Sequence, residues 1–598
     1  MDIIFKNQVD YKEAYGILCG SLPKRNLHQG LSPTFCQILK DGKTTPHDHF
    51  EPEIFFIMKG FGKMIIQNKN QLVSSGDLIQ IPPFANHQLI NMGDETLEFL
   101  SVYSEDYEVP EIPKNVLLTV APPTPNGPLH LGHISGPYLA SDIVARYHKS
   151  QSVSLHSHCG TDDHQNYVHE KSNNLGVPVD VFQKNTRNRI LKGLSHLQIQ
   201  FDDFIEPKSN HAYQFQVLNL VNRAVSKDVI QKEFISLPHC SNCDITLIDA
   251  LVKGSCPHCL SASSGGCENC GIVVPPHELL SPKCNRCGRS AQTKNIEVYT
   301  FNLGHYLPLI ESDLNALPLS PKIRELVGKV QNLKEAKVLV SHPSNSQRGL
   351  KFPESDQNIH VWFEMAAQYE SFSLGSSTWV HFFGFDNSFH YLLFIPSLLK
   401  ALNSKTKLPN AVVTNEFLLL DGLKFSTSRD HAIWADEFAG NTDHLRFYLS
   451  YLRPSQQSSD FSLSEFQLFS QNLEKLLQTA RQRAIHLSRE THPDLSSSVA
   501  LECHRLKRDL DYLLSLNQLD IRQAARRIYQ FLDHTVNSFG LPQDDFLRLQ
   551  SLANHLTPFM PTEAARLLPE IWKDQFSGSP TNENEELGQS HSPGETSV

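Results

Sequence analysis

The sequence predicts a multidomain chain: an all-β barrel in front, an α/β body interrupted by a small cysteine-rich insertion, and an all-helical end. Three observations predict it. Before about residue 108, short β-rich runs (EIFFIMKG, GKMIIQN, DLIQIPP, TLEFLSVYS) are punctuated by Gly, Asn and Asp at short spacing, the pattern of a sandwich or barrel. From Val116 the pattern changes to a buried strand, NVLLTVAPP, a Pro/Gly turn and an amphipathic helical run, ISGPYLASDIVARYHKS; further strand-like runs, WVHFFGF and AVVTNEFLLL, follow the cysteines of 238–290. From about 440 the apolar period is helical, as in SLSEFQLFSQNLEKLLQTARQRAIHL and RQAARRIYQFLDHTV.

The 598 residues suffice for about four domains. Charged residues make up 20% and hydrophobic ones 40%, an ordinary soluble composition. A net charge of -11 argues against non-specific nucleic-acid attraction as the main mode of binding, without excluding a local basic groove. No apolar run approaches the roughly 20 residues that span a bilayer, and MDIIFKNQVDYKE has no apolar core of a signal peptide. A cytoplasmic location and reduced cysteines are therefore expected, and eight of the twelve cysteines fall in C-x-x-C pairs. The expected boundaries are 1–110, 114–237 with 291–437, 238–290, 438–575 and a polar, disordered tail at 576–598. EDYEVPEIPKN (105–115) reads as a linker.

In the front part, Gly42, His47, His49, Glu53 and Gly60 form one cluster, and Gly76, Pro82, His87 and Asn91 a second. Residues i and i+2 of a strand share a face, so His47 and His49 are expected to point into one cavity. Glu53 and His87 complete a three-nitrogen, one-oxygen cage, which suits Zn, Fe, Mn or Ni. The two clusters resemble the paired motifs of the cupin superfamily. The first spacing is one residue short, and Phe84 stands where the second motif has a glycine.

In the body, HLGH (130–133) follows a strand and opens a helix, where dipole and donors converge on phosphate. It is joined in order by CGTDDHQ (159–165), HVWFEMAAQY (360–369), HFFGFD (381–386) and LDGLKFSTSRD (420–430). Together these resemble the class I aminoacyl-tRNA synthetases, and methionyl-tRNA synthetase in particular, over roughly residues 114 to 455. The resemblance implies a Rossmann-type catalytic domain using ATP and Mg2+. His130, Gly132, His133, Lys424, Ser426 and Ser428 are expected to hold ATP, with His130, His133, Lys424 and, in the cupin, Glu53 as catalytic groups. Asp162 matches the position that holds the substrate α-ammonium; Pro122, Trp362, Met365, Tyr369, Asn387 and Tyr391 would line the amino-acid site. The cysteines agree with a zinc-knuckle insertion. The two-zinc form of that synthetase implies that Cys256, Cys259, Cys267 and Cys270 share one zinc, and Cys240, Cys243, Cys284 and Cys287 the other. All-thiolate cages leave no open position, so these zincs are expected to be structural.

The sequence also departs from that synthetase. The loop signature is reduced to Lys424-Phe425-Ser426-Thr427-Ser428, without its second lysine, and Arg429 is the nearest substitute. Met365 stands where the family has alanine, Asn387 and Tyr391 where isoleucine and histidine are usual, and Pro122 and Thr124 where leucine and tyrosine are. A bulkier wall implies a small amino acid. The helical end has no tryptophan between 435 and 571 to stack on an anticodon, so activation without the usual tRNA partner is expected. A cupin ahead of such a body resembles the hydrazine synthetases of natural-product pathways. That implies adenylation of an amino acid, its esterification to an N-hydroxylated amine such as N6-hydroxylysine, and rearrangement at the cupin metal to an N–N bond. An N-hydroxylase would supply the amine, and a redox-inactive zinc would serve in the cupin. The alternatives are an aminoacyl-tRNA ligase or an editing relative, an activating enzyme with an O2-dependent iron cupin, and a non-catalytic sensor.

Overall fold

Five short apolar strands of the body lie parallel in the order Asp203–Ile205, Ser154–Gly160, Asn115–Val120, Thr378–Gly384 and Ala411–Asn415. This doubly wound order reverses direction between Asn115–Val120 and Thr378–Gly384, and ligands of such sheets bind in the crevice at the carboxyl ends there. Val116, Leu118, Val120, Val380 and Phe382 are buried, as expected of parallel strands covered on both faces. The computed structural model describes residues 9–21, 31–67, 69–104, 113–333, 336–344, 349–425, 431–487 and 497–567. The chain forms two units, Met1–Glu111 and Ile112–Val598. The linker reading falls mostly, and the tail reading wholly, outside the described residues.

The front unit is β-rich. One antiparallel sheet runs Lys12–Ala14, Ile17–Ser21, Leu31–Ile38, Leu97–Ser104, Glu53–Lys59, Leu78–Ile81; a second runs Lys69–Ser74, Phe61–Ile66, His87–Asn91. The side-chain period of two turns Glu53, Phe55 and Ile57 inward together, and likewise His87, Leu89 and Asn91. Gly60 has φ +95° and a Cβ there would lie 2.8 Å from the Leu97 Cα, so only glycine fits. Phe84 keeps the left-handed backbone (φ +56°) of the glycine it replaces, and its N–H donates to the His49 carbonyl (2.7 Å). His47 and His49 do not lie on a regular strand as expected: the segment is irregular, pinned by one bridge between His47 and His87.

The insertion is rooted in a long antiparallel pair, Gln231–Cys240 with Gln292–Asn302, so its arms reach beyond the cysteine span of 238–290. Those arms carry alternating polar residues and no distinctive signal. The helix expected after HLGH is present, and it lies deeper than an amphipathic run suggests. It begins at Leu131, passes through a wide i→i+5 turn at Ile134–Tyr138 around Pro137, and continues as Leu139–Ser150, buried on nearly every side. The helical end covers it, with helices Thr442–Tyr451, Leu463–Leu487, Ser497–Leu513, Ile521–Asn537, Pro542–Leu556 and Pro561–Leu567.

The Arg446 guanidinium joins the helical end to the helix Leu139–Ser150 of the body. Arg446 is fully buried and donates to Asp142 Oδ2 (2.7 Å) and to the carbonyls of Leu197 (2.8 Å), Pro558 (2.8 Å) and Phe559 (3.1 Å). Asp142 has a second cation, Arg146, whose Nε donates to Oδ2 at 2.8 Å, so the charge stranded by breaking the pair is the buried guanidinium, at a cost of about 3–5 kcal/mol. Asp142→Ala is therefore expected to destabilise the body by that amount in chemical denaturation. A change below about 1 kcal/mol, the scale of an exposed pair, would show the junction to be dispensable.

Candidate functional site

A cavity of about 550 Å³ opens at the carboxyl ends of the two central strands, lined by Ala121–Thr124 on one side and by Gly384, Asp386 and Asn387 on the other. His130 and His133 line one end of it. The His133 N–H donates to His130 Nδ1 and the His130 N–H to His133 Nδ1, both at 3.3 Å, and the rings stack at 3.7 Å. With Nδ1 accepting, each neutral ring carries its proton on Nε2 as a free donor. Burial and the neighbouring His133 push the His130 pKa down to about 2, which keeps it neutral. Gly132 is needed here because a Cβ would meet the His130 ring at 3.0 Å and Phe425 at 3.1 Å. Lys424 lines the same cavity and is paired with Glu268 of the insertion. Ser426 and Ser428 lie outside the described residues.

At the other end of the cavity Asp162 is buried. Its Oδ2 accepts from Thr124 Oγ1 (3.2 Å), while Oδ1 has no hydrogen-bond partner. Burial, reinforced by the nearby Glu364, pushes its pKa up to about 8. A lone carboxylate facing a cavity is matched by an ammonium. Below it, His164 and Glu364 pair at 2.8 Å. Pro122, Trp362, Met365, Asn387 and Tyr391 line the cavity, whereas Tyr369 stands behind the wall with its hydroxyl donating to the Tyr391 carbonyl (3.4 Å). Tyr391 Oη donates to Met365 Sδ (3.8 Å), so the chain's own thioether fills part of the side-chain pocket. His390, stacked on Trp362 at 3.7 Å, was missed by sequence reasoning. His390 and Tyr391, adjacent on the wide turn Phe389–Phe394, both line the cavity. Glu364, in the quoted run HVWFEMAAQY, and Glu268, beside a knuckle cysteine, were also missed.

The eight paired cysteines gather in two groups. Cys240, Cys243, Cys284 and Cys287 form one, and Cys256, Cys259, Cys267 and Cys270 the other. Their Sγ–Sγ separations are 3.5 and 4.0 Å in the first and 3.8 and 3.4 Å in the second. A tetrahedron with Zn–S near 2.3 Å has edges of about 3.8 Å, so both sets fit zinc.

In the front unit the ring nitrogens of His47, His49 and His87 lie within 4.8 Å of one another. His47 Nδ1 and His87 Nδ1 each lie 2.8 Å from a backbone carbonyl, of Thr45 and Ala85, which fixes the proton on Nδ1 and leaves Nε2 as the ligand. Glu53 Oε2 lies 3.2 Å from His49 Nε2 and 3.4 Å from His87 Nε2. Burial alone would raise the Glu53 carboxyl, but the neighbouring His49, His87 and Ser101 hold it at about 2. An ionised oxygen beside three imidazole nitrogens fits a divalent metal.

Residues 116–481 match the family described as tRNA synthetases class I (M), and residues 34–103 match the cupin domain family. The methionine–tRNA ligase of Methanococcus maripaludis is 30% identical over 375 residues, 59% of this chain and 55% of that protein. The enzyme of the same name from Methanocaldococcus jannaschii is 28% identical over 448 residues, 71% of this chain and 67% of its own length. The chain thus spans about half the length of the first of these relatives. Among solved structures, Mycobacterium tuberculosis methionyl-tRNA synthetase in complex with methionyl-adenylate superposes with a TM-score of 0.60 at 16% identity, covering 76% of this chain and 93% of that one, a likeness of fold.

Asp162 yields a pH signature. Its folded pKa of about 8 lies above the unfolded value near 3.9, so the folded chain holds the extra proton between the two. Its contribution to stability is full below about pH 4 and is lost as pH rises through about 8. Asp162→Asn should therefore raise the thermal midpoint relative to the native chain at about pH 9 but not at about pH 4. A small amine that enters this cavity should bind more tightly as pH rises toward about 8, because the carboxylate form of Asp162 attracts an ammonium. A flat affinity profile, with equal midpoints at both pH values, would contradict this.

Proposed function

The chain belongs to the class I (M) tRNA synthetase family, and on that premise we propose that it is an ATP-dependent hydrazine synthetase acting on a small amino acid and an N-hydroxylated amine, N6-hydroxylysine being the favoured one. The observation that carries the reading is one chain bearing both a cavity lined by the buried Asp162, His130, His133 and Lys424 and a three-histidine, one-carboxylate cage. Met365 supports the small side chain, since its thioether takes space that a long one would need.

In the body, an amino-acid carboxylate oxygen attacks the α-phosphorus of ATP and pyrophosphate leaves. Asp162 holds the ammonium, and His130, His133 and Lys424 meet the charge that builds on the phosphates, where preorganised donors count most. The hydroxylamine oxygen then attacks the mixed anhydride carbonyl and AMP departs, giving an O-acyl hydroxylamine. In the second step the α-amine of that ester attacks the hydroxylamine nitrogen, the N–O bond breaks and the carboxylate takes its electron pair. Both nitrogens end at the hydrazine level, so no outside electrons are needed, and the intramolecular attack gains from proximity. A metal held by His47, His49, His87 and Glu53 would supply Lewis acidity to the ester carboxyl. Glu53, held ionised among its neighbours, would give the cage its anionic ligand, and the proton lost from the attacking amine would pass to the departing carboxylate.

Aminoacyl transfer to tRNA is the second reading, favoured by the names of the related proteins. The test is incubation of the full chain with ATP, a small amino acid labelled with 15N and N6-hydroxylysine labelled at N6. The expected product carries both labels with a direct 15N–15N coupling, and AMP is released in equal amount. AMP release without that coupling, or aminoacylation of added tRNA in its place, would reject the proposal.

A further inference from the structure

Glu268 stands between two cysteines of the inner knuckle, Cys267 and Cys270, and its carboxylate pairs with the Lys424 ammonium. The same ammonium lies 3.8 Å over the Phe417 ring, so a carboxylate on one side and an aromatic face on the other define where the lysine rests. The knuckle is fixed against the sheet. Gly271 has φ +77° and lies so close to Phe385 that a Cβ would come within 3.0 Å of its ring. Asn166 donates to the Ile248 carbonyl and accepts from the Ala250 N–H, both at 3.1 Å, tying the other side of the insertion to the helix Asn166–Leu175. Glu268 and Lys424 both line the cavity that His130 and His133 face.

We infer that Glu268 is a positioning residue for Lys424. It holds the ammonium over Phe417 while the cavity lacks a triphosphate, and yields it when ATP binds. The inference rests on the reading of this cavity as an ATP site. The direction of exchange follows from charge: Glu268 is 61% exposed in its side chain and Lys424 37%, so their attraction is screened by water. A triphosphate offers several charges in a more enclosed setting and outcompetes it. The pair therefore imposes a small penalty on ATP affinity, a factor of about 1.5 to 5 for an exposed ion pair. It also makes the knuckle, otherwise structural, a participant in nucleotide binding.

Calorimetric titration of the full chain with ATP, which needs no turnover, tests this. Glu268→Gln should bind ATP about 1.5- to 5-fold more tightly, and Glu268→Asp, which keeps the charge, should return toward the native affinity. In a Lys424→Ala background the Glu268→Gln gain should vanish, which separates release of the lysine from the mere removal of a negative charge near phosphates. An unchanged or weaker affinity in Glu268→Gln, or an equal gain without Lys424, would overturn the inference while leaving the ATP site intact. A native chain that binds no ATP would instead remove the reading on which the inference rests.

Discussion

Asp162 imposes the constraint on which the body's site depends: a carboxylate buried with one oxygen unpartnered. A charge in such a place costs free energy unless it is protonated or paired. Thr124 supplies one hydrogen bond, and the nearby Glu364 makes matters worse. The fold tolerates this because the residue sits at the switch point of a parallel sheet, where strand ends diverge and leave space that no side chain fills. On the proposed reading, an α-ammonium brought there would relieve the cost, directing binding energy to the end of the substrate that all amino acids share. Selection among amino acids would then fall to the wall, where Met365 and Tyr391 meet across the cavity.

The insertion is held in the same economical way, by few but specific anchors. Its two cysteine groups are nested in sequence, the outer pairs closing around the inner ones, so a metal held in each would close a chain loop and fix the hairpin Gln231–Cys240 with Gln292–Asn302. Anchoring through Gly271 and Asn166 brings the Glu268 carboxylate to the Lys424 end of the cavity. The insertion thereby contributes to the electrostatics of the site as well as to its framework.

Much of this was legible in the sequence because the informative residues are of rare types at fixed spacing. Paired cysteines, HLGH and the two histidine clusters each announce a local geometry, and the parallel strands read as continuous apolar runs. What was not legible has physical causes. The helix Leu139–Ser150 keeps polar residues that the periodicity assigned to solvent, but Asp142 and His148 are buried against Arg446 and the Leu514 carbonyl. His390 lies on an i→i+5 turn, which no three-and-four spacing reveals. Thr124 looked like a mere departure from a family pattern until its hydroxyl was found on Asp162. Glu268 carries no signal of its own, since its partner lies 156 residues away in sequence.

The central claim is a division of labour, with an ester made by the body and consumed by the front unit. The most direct measurement is mass spectrometry of reactions run with His47→Ala/His49→Ala chain, alongside the metal content of the protein. The account predicts loss of the metal from the front unit, amino-acid-dependent AMP release close to that of the native chain, accumulation or hydrolysis of the O-acyl hydroxylamine, and no hydrazine. Undiminished hydrazine from that variant would contradict it and leave the histidine cage without a part in the chemistry.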